Sequence, residues 1–178
     1  MTLSPEAALV DALIATVPDF PEPGVVFRDL TPVFADGPAL TALATGLIAP
    51  FASRFDYVGG LEARGFLIAG AASVLCGAGV LSVRKAGKLP RAVLTQEYAL
   101  EYGTAALEVH VGQLPAGSRV LIVDDVLATG GTALAAANLI ERAGWRVAGA
   151  AVALELNGLG GRERLESRGI ETFALLSY

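Results

Sequence analysis

The chain has 178 residues, 53% of them apolar and 17% charged, with a formal net charge of −5. This length suits one domain with a substantial core, and the composition excludes a disordered chain. The acidic balance argues against a nucleic-acid partner, whose binders carry basic surfaces, but not against an anionic small substrate met by a local basic cluster. A single cysteine, Cys76, excludes an intrachain disulfide and points to a reducing, cytoplasmic setting.

Ser4 followed by Pro5 reads as a helix cap and first helical residue, opening a helix to about Thr16. The opening stretch has no basic region and Asp11 interrupts its apolar run, so no signal peptide is expected. "PDFPEPGVVFRDLTP" is read as a proline-fixed loop with a short apolar centre, Val25–Phe27. Residues 36–53 read as helical, and "DYVGGLEARGF" as a strand, a turn and a helix start. Residues 65–83 carry no charge and are long enough to cross a bilayer. However, Gly77 and Gly79 precede the β-prone run Val80–Val83, so a buried helix, a glycine stop and a buried strand are expected instead. Residues 84–110 show alternating apolar positions and no long helical period, which predicts a hairpin or mobile flap. A strong strand follows at Arg119–Val123, then a helix from about Gly130 to Ala143 and a strand in "WRVAGAAVALEL". "GRERLESRG" gives a short helix ended by Gly169, and "IETFALL" a last strand. Strands alternating with helices predict an α/β fold, a mainly parallel sheet with helices on both faces. Ligands in such folds sit at the carboxyl ends of the strands, where residues 59–65, 84–88 and 124–132 fall.

The last of these loops carries the strongest signal. In "VLIVDDVLATGGTAL" an apolar strand leads into Asp124 and Asp125, then into Ala128, Thr129, Gly130, Gly131 and Thr132 at a helix start. Glycines let N–H groups converge on an anion, the helix start favours negative charge, and both threonines can donate. The string is a phosphate cradle that fits neither the P-loop nor the dinucleotide fingerprint. The two carboxylates would repel a phosphate directly. They can instead accept from the hydroxyls of a phosphorylated ribose, or act through a magnesium-bound water.

This string resembles the phosphoribosyl pyrophosphate (PRPP) motif of type I phosphoribosyltransferases. "PDFPEPGVVFRDLTPVF", "GLEARGFLIAG", "VRKAGKLP", "YALEYGTAALEVH" and "LELNGLGGRERL" together resemble the adenine phosphoribosyltransferase family from about Pro18 to Tyr178. The resemblance implies one domain over residues 1–178, with hood elements at about 18–34 and a flexible flap at about 85–110. It implies transfer of phosphoribose from PRPP to adenine with Mg2+, giving AMP and pyrophosphate, in a homodimer without nucleic-acid or membrane partners. By position, Asp124 and Asp125 would hold the ribose and residues 128–132 the 5-phosphate. Arg64, Arg84, Lys85 and Lys88 would meet the diphosphate, with Arg84 reaching the neighbouring subunit. Glu101 and Arg64 would be the catalytic side chains, with Tyr102 of the flap packing over the site. Val26, Phe27, Arg28 and Leu156 would form the adenine pocket, and the metal would be held through PRPP and water rather than by the protein. The basic loop reads "RKAGK", with Ala86 where the family often has a further basic residue.

His110 and Cys76 are the only residues of their types, so neither a His/Cys metal cluster nor a Ser-His-Asp triad is expected. His110 reads as a hairpin residue and Trp145 as core. Two rival functions share the PRPP string: a 6-oxopurine phosphoribosyltransferase and a non-catalytic PRPP-sensing regulator. The latter would want a DNA-binding segment or a basic face that this chain lacks.

Overall fold

The structure is a computed structural model that describes residues 3–99 and 104–178. Helix α1 (Pro5–Asp11) begins as expected, the Ser4 hydroxyl accepting the Ala7 N–H at 3.2 Å. It ends well before Thr16, because β1 (Ala15–Pro18) pairs antiparallel with β2 (Val26–Asp29). The segment read as a proline-fixed loop is therefore a hairpin, with Val17 opposite Phe27 and Pro18 opposite Val26. Pro18 lacks an N–H and sits where the ladder ends, as strand prolines must.

Short α2 (Thr31–Ala35) leads to α3 (Gly37–Ile48), capped by the Asp36 carboxylate at 2.8 Å from the Ala39 nitrogen, and a 3-10 turn at Ala49–Phe51. Then come β3 (Tyr57–Leu61), α4 (Gly65–Cys76) and β4 (Gly79–Lys85), with Gly77 in the left-handed region ending the helix where the sequence placed the stop. β5 (Val93–Ala99) and β6 (Thr104–His110) form the expected antiparallel hairpin. β7 (Arg119–Leu127), α5 (Gly131–Arg142), β8 (Arg146–Glu155), α6 (Gly161–Glu166) and β9 (Thr172–Ser177) complete the chain.

The main sheet has seven strands in the order β5-β6-β4-β3-β7-β8-β9. The five from β4 to β9 are parallel, and the β5–β6 hairpin adds an antiparallel edge. From β3 the chain builds outward on one side through β4, then returns to lay β7 on the other. This reversal opens a crevice at the carboxyl ends of β3 and β7.

Two apolar layers hold the sheet. On one face Leu121 and Val123 pack with Leu43, Leu47, Ile68 and Ala72 of α3 and α4. On the other, Val120 and Ile122 pack with Ala136, Leu139 and Ile140 of α5. β7 is covered on both sides, which is why its sequence is continuously apolar rather than alternating. Each buried Val, Leu or Ile among them is worth about 1.5–3 kcal/mol against exposure.

One expectation needs correcting. Helix α4 is not buried all round: Ile68, Ala69 and Ala72 face the core, while Leu67 is 51% and Val74 85% exposed. No described helix is long and apolar enough to cross a membrane. Trp145 is core, its indole donating to the Leu114 carbonyl at 3.2 Å. His110 ends β6, and its Nδ1 is the one buried side-chain nitrogen or oxygen without a partner among the described residues. The Cys76 thiol is free and exposed.

Candidate active site

Strand β7 runs past both aspartates. Asp124 lies opposite Val152, Val126 opposite Leu154 and Leu127 opposite Glu155, so the carboxylates stand inside the ladder rather than at its tip. The continuous apolar run ends at Val123, so the sequence predicts the aspartates at the strand tip. The ladder to β8 and the burial of Leu127 carry it onward. The result is rigidity, since strand pairing fixes the backbone of both aspartates. Asp124 is half-buried, and desolvation first, then the neighbouring Asp125 charge, pushes its carboxyl well above the ordinary range. Its Oδ1 accepts the Asp125 N–H at 2.9 Å.

Residues 128–132 turn from β7 into α5 around a cavity of about 90 Å³ lined by Asp124, Val126 and residues 127–133. Gly130 adopts φ +76, where a side chain would be strained, and the helix begins at Gly131 with no side-chain cap. The orphan N–H groups of α5's first turn therefore remain available at the cavity.

The loop between β3 and α4 supplies the cation. After a cis peptide between Glu62 and Ala63, Arg64 extends its Nη1 to Asp125 Oδ2 at 2.8 Å. The hydrogen bond to Asp125 raises the guanidinium's pKa further. The same guanidinium lies 5.9 Å from the Phe27 ring centre, and Asp29 contributes to its electrostatic surroundings. Arg64 thus joins the hood hairpin to the acidic strand.

The basic loop after β4 is anchored by two carboxylates that the sequence reading left without a role. Glu62 accepts the Lys85 N–H at 2.9 Å and Arg84 Nε at 3.2 Å. Burial pushes the Glu62 carboxyl upward, but these donors outweigh it and leave it below its ordinary range. Glu108, buried on β6, accepts the Gly87 N–H at 2.9 Å, and Arg84 also reaches the Lys88 carbonyl at 3.4 Å. Glu62 stands two residues before Arg64 in "EARG", a local signal in the sequence. Glu108 is visible only once the β4–β6 pairing places it opposite Arg84.

The residues expected around a base are placed unevenly. Val26 is 52% exposed, and Phe27 meets Phe20 edge-on with ring centres 5.2 Å apart. Leu156 donates its N–H to the Leu127 carbonyl at 2.9 Å, beside the glycine-rich loop at 128–132. The Arg28 guanidinium is engaged elsewhere, donating to Thr16 at 2.7 Å and stacking 4.2 Å over the Tyr178 ring. The Tyr178 hydroxyl in turn bonds Asp11, which fastens the hairpin to α1. Glu101 and Tyr102 lie outside the described residues. Among the described residues no three His, Cys, Asp or Glu side chains gather as a metal cage.

The comparisons agree with this geometry. Residues 36–172 match the model of the phosphoribosyl transferase domain. The adenine phosphoribosyltransferase of Renibacterium salmoninarum is 62% identical over 167 residues, covering 94% of this chain and 92% of the relative. The crystal structure of adenine phosphoribosyltransferase from Rhodothermus marinus superposes with a TM-score of 0.88 at 44% identity, covering 97% of this chain and 98% of that one. The Saccharomyces cerevisiae enzyme, solved with an imino-altritol bisphosphate and adenine, gives a TM-score of 0.89 at 36% identity, covering 96% and 98%. With the switch-point crevice, the acidic strand and the glycine-rich loop in place, the chain belongs to the phosphoribosyltransferase family, among its adenine phosphoribosyltransferases.

Proposed function

We propose that the chain salvages adenine, transferring the phosphoribosyl group of PRPP to adenine to give AMP and pyrophosphate. The observation that carries this reading is the Arg64–Asp125 contact at 2.8 Å beside the phosphate loop. It supports a single site in which a leaving-group cation, two sugar-binding acids and a phosphate cradle adjoin.

In this reading Asp124 and Asp125 accept hydrogen bonds from the ribose hydroxyls. The N–H groups and hydroxyls of residues 128–132 bind the 5-phosphate. Arg64 binds the diphosphate, with Arg84, Lys85 and Lys88 adding charge on the loop anchored by Glu62 and Glu108. The bond from C1 of the ribose to the diphosphate oxygen breaks and its electron pair leaves with pyrophosphate. A bond from C1 to an adenine nitrogen forms, and that nitrogen gives up its proton. Positive charge builds on C1, which the nearby carboxylates favour, while fixed cations stabilise the departing anion. The Asp124–Asp125 pair suits a hydrated Mg2+ that would arrive with the diphosphate and supply leaving-group neutralisation. Val26, Phe27, Arg28 and Leu156 form the base pocket, with Arg28 holding the hood hairpin in place. Glu101 serves the ring nitrogens and Tyr102 covers the site.

The chain acts as one domain with a hood and a flap, in the cytoplasm, as a homodimer to whose second site Arg84 contributes. The exposed apolar face of α4 supports a covered surface there.

A steady-state panel of adenine, guanine, hypoxanthine and xanthine with PRPP and Mg2+ tests the reading. Adenine turns over fastest if it is right. Faster guanine turnover would replace it with a 6-oxopurine enzyme, and PRPP binding without AMP formation with a regulator.

A further inference from the structure

The "GLGGRERL" segment stands far from the phosphate loop in sequence and has no part in the site described above. In the fold it lies directly behind that loop. A Cβ placed on Gly161 would stand 2.3 Å from the Ala128 carbonyl oxygen and 3.0 Å from two carbons of Leu127. The contact is mutual: a Cβ on Gly130 would meet the Gly161 carbonyl oxygen at 2.9 Å and its Cα at 3.1 Å. Backbone rests on backbone, at a separation that only glycine permits.

The segment is also held firmly. Arg162 Nε lies 2.9 and 3.0 Å from the two Glu155 carboxylate oxygens, at the end of β8. Its Nη1 donates to the Thr172 carbonyl at 2.6 Å, at the start of β9. One guanidinium therefore ties the first turn of α6 to two sheet strands, and the neighbouring Gly161 is pressed onto Ala128. Leu156, two residues before the segment, donates its N–H to the Leu127 carbonyl at 2.9 Å.

We infer that Gly161, seated by Arg162, is the backstop of the phosphate loop. It touches no substrate and acts as a positioning residue by fixing where the Ala128 carbonyl points, and so how the following N–H groups converge. The inference rests on the proposed 5-phosphate role of residues 128–132. A methyl group on Gly161 must push the Ala128 carbonyl away by several tenths of an ångström, because the atom it meets is backbone and not a flexible side chain.

The test compares Gly161→Ala with Gly158→Ala. Gly158 lies in the same segment at φ +80, but a Cβ there meets nothing within 4 Å, so it reports backbone strain without the contact. Ribose 5-phosphate binding is measured by calorimetry, and KM for PRPP and adenine by steady-state kinetics. Gly161→Ala should weaken ribose 5-phosphate and raise KM for PRPP by about 10–100-fold, as misplacement near 1 Å does to positioned groups. KM for adenine should stay within about threefold, and Gly158→Ala should leave phosphate affinity within the same range. Arg162→Lys, which adds no bulk at the loop, should shift ribose 5-phosphate affinity in the same direction by a smaller factor, and stands in if Gly161→Ala does not fold. Unchanged ribose 5-phosphate affinity in a folded Gly161→Ala or Arg162→Lys protein would overturn the inference, as would equal losses in Gly161→Ala and Gly158→Ala. Failure of the catalytic reading would show instead in the wild-type chain, as no AMP formed from adenine and PRPP.

Discussion

Replacing Asp124 with Asn should stabilise the protein while weakening its hold on PRPP. Asp124 is half-buried in β7 beside a second carboxylate, and both desolvation and that neighbour raise its pKa from the ordinary 3.8. A carboxyl whose folded pKa lies above its unfolded one binds more protons in the native state, so stability falls as pH rises through the interval between them. Each pKa unit of displacement corresponds to about 1.4 kcal/mol at pH values above both. For a chain of this length that moves the melting temperature by about 3–6 °C. Asn keeps an oxygen able to accept the Asp125 N–H at 2.9 Å but cannot ionise. Melting curves of both proteins from pH 4 to pH 8 should therefore converge at the acid end and separate toward neutrality, with Asn the more stable. The same substitution should raise KM for PRPP or lower turnover, because the ribose hydroxyls lose a charged acceptor. A melting difference equal at pH 4 and pH 8, or an Asn variant less stable at pH 8, would refute the electrostatic account. Unchanged kinetics would refute the ribose assignment.

Other consequences can be checked one at a time. Glu101→Leu should reduce turnover more than adenine binding, and equal losses in both would leave Glu101 a positional role. Glu62→Gln should cost about 1–3 kcal/mol in denaturant unfolding, because the Arg84 and Lys85 donors lose their charged acceptor, and should raise KM for PRPP. An unchanged KM would mean that the basic loop holds its place without this anchor. Burial and the Asp11 contact raise the Tyr178 hydroxyl to about 12. Its stabilising contribution is then present below about pH 10 and lost as pH climbs toward 12. Ultraviolet titration of phenolate should show a late-titrating component that Tyr178→Phe removes.

What could be read from the sequence was what depends on local order. The run at Val120–Val123, covered on both faces, announces itself by composition, and the Ser4 cap, the Gly77 stop and the Gly130 turn each follow from backbone preferences of single residues. The β1–β2 hairpin was missed because its signal is divided. Four prolines in and around it suggest a loop, and the pairing of Val17 with Phe27 depends on strands that are individually too short to show alternation. Helix α4 was read as buried because it has no polar stripe, and only the packing of Ile68 and Ala72 shows which side faces inward. Within the site, residues 124–132 were legible because chemistry and chain order coincide there. The carboxylates of Glu62 and Glu108, the turning of Arg28 toward Tyr178, and the seat of Gly161 against Ala128 all join distant segments, and no local pattern encodes them.

The Arg64–Asp125 contact has a thermodynamic consequence. If a diphosphate takes Arg64 and ribose hydroxyls take Asp125, the guanidinium exchanges one anion for another instead of gaining its first. Such an isocoulombic exchange gains little net charge attraction. Discrimination at that point then depends on shape and hydrogen-bond direction more than on total charge. Added salt, which screens the pair that is lost and the pair that is made alike, should disturb this subsite less than it disturbs long-range attraction toward the basic loop.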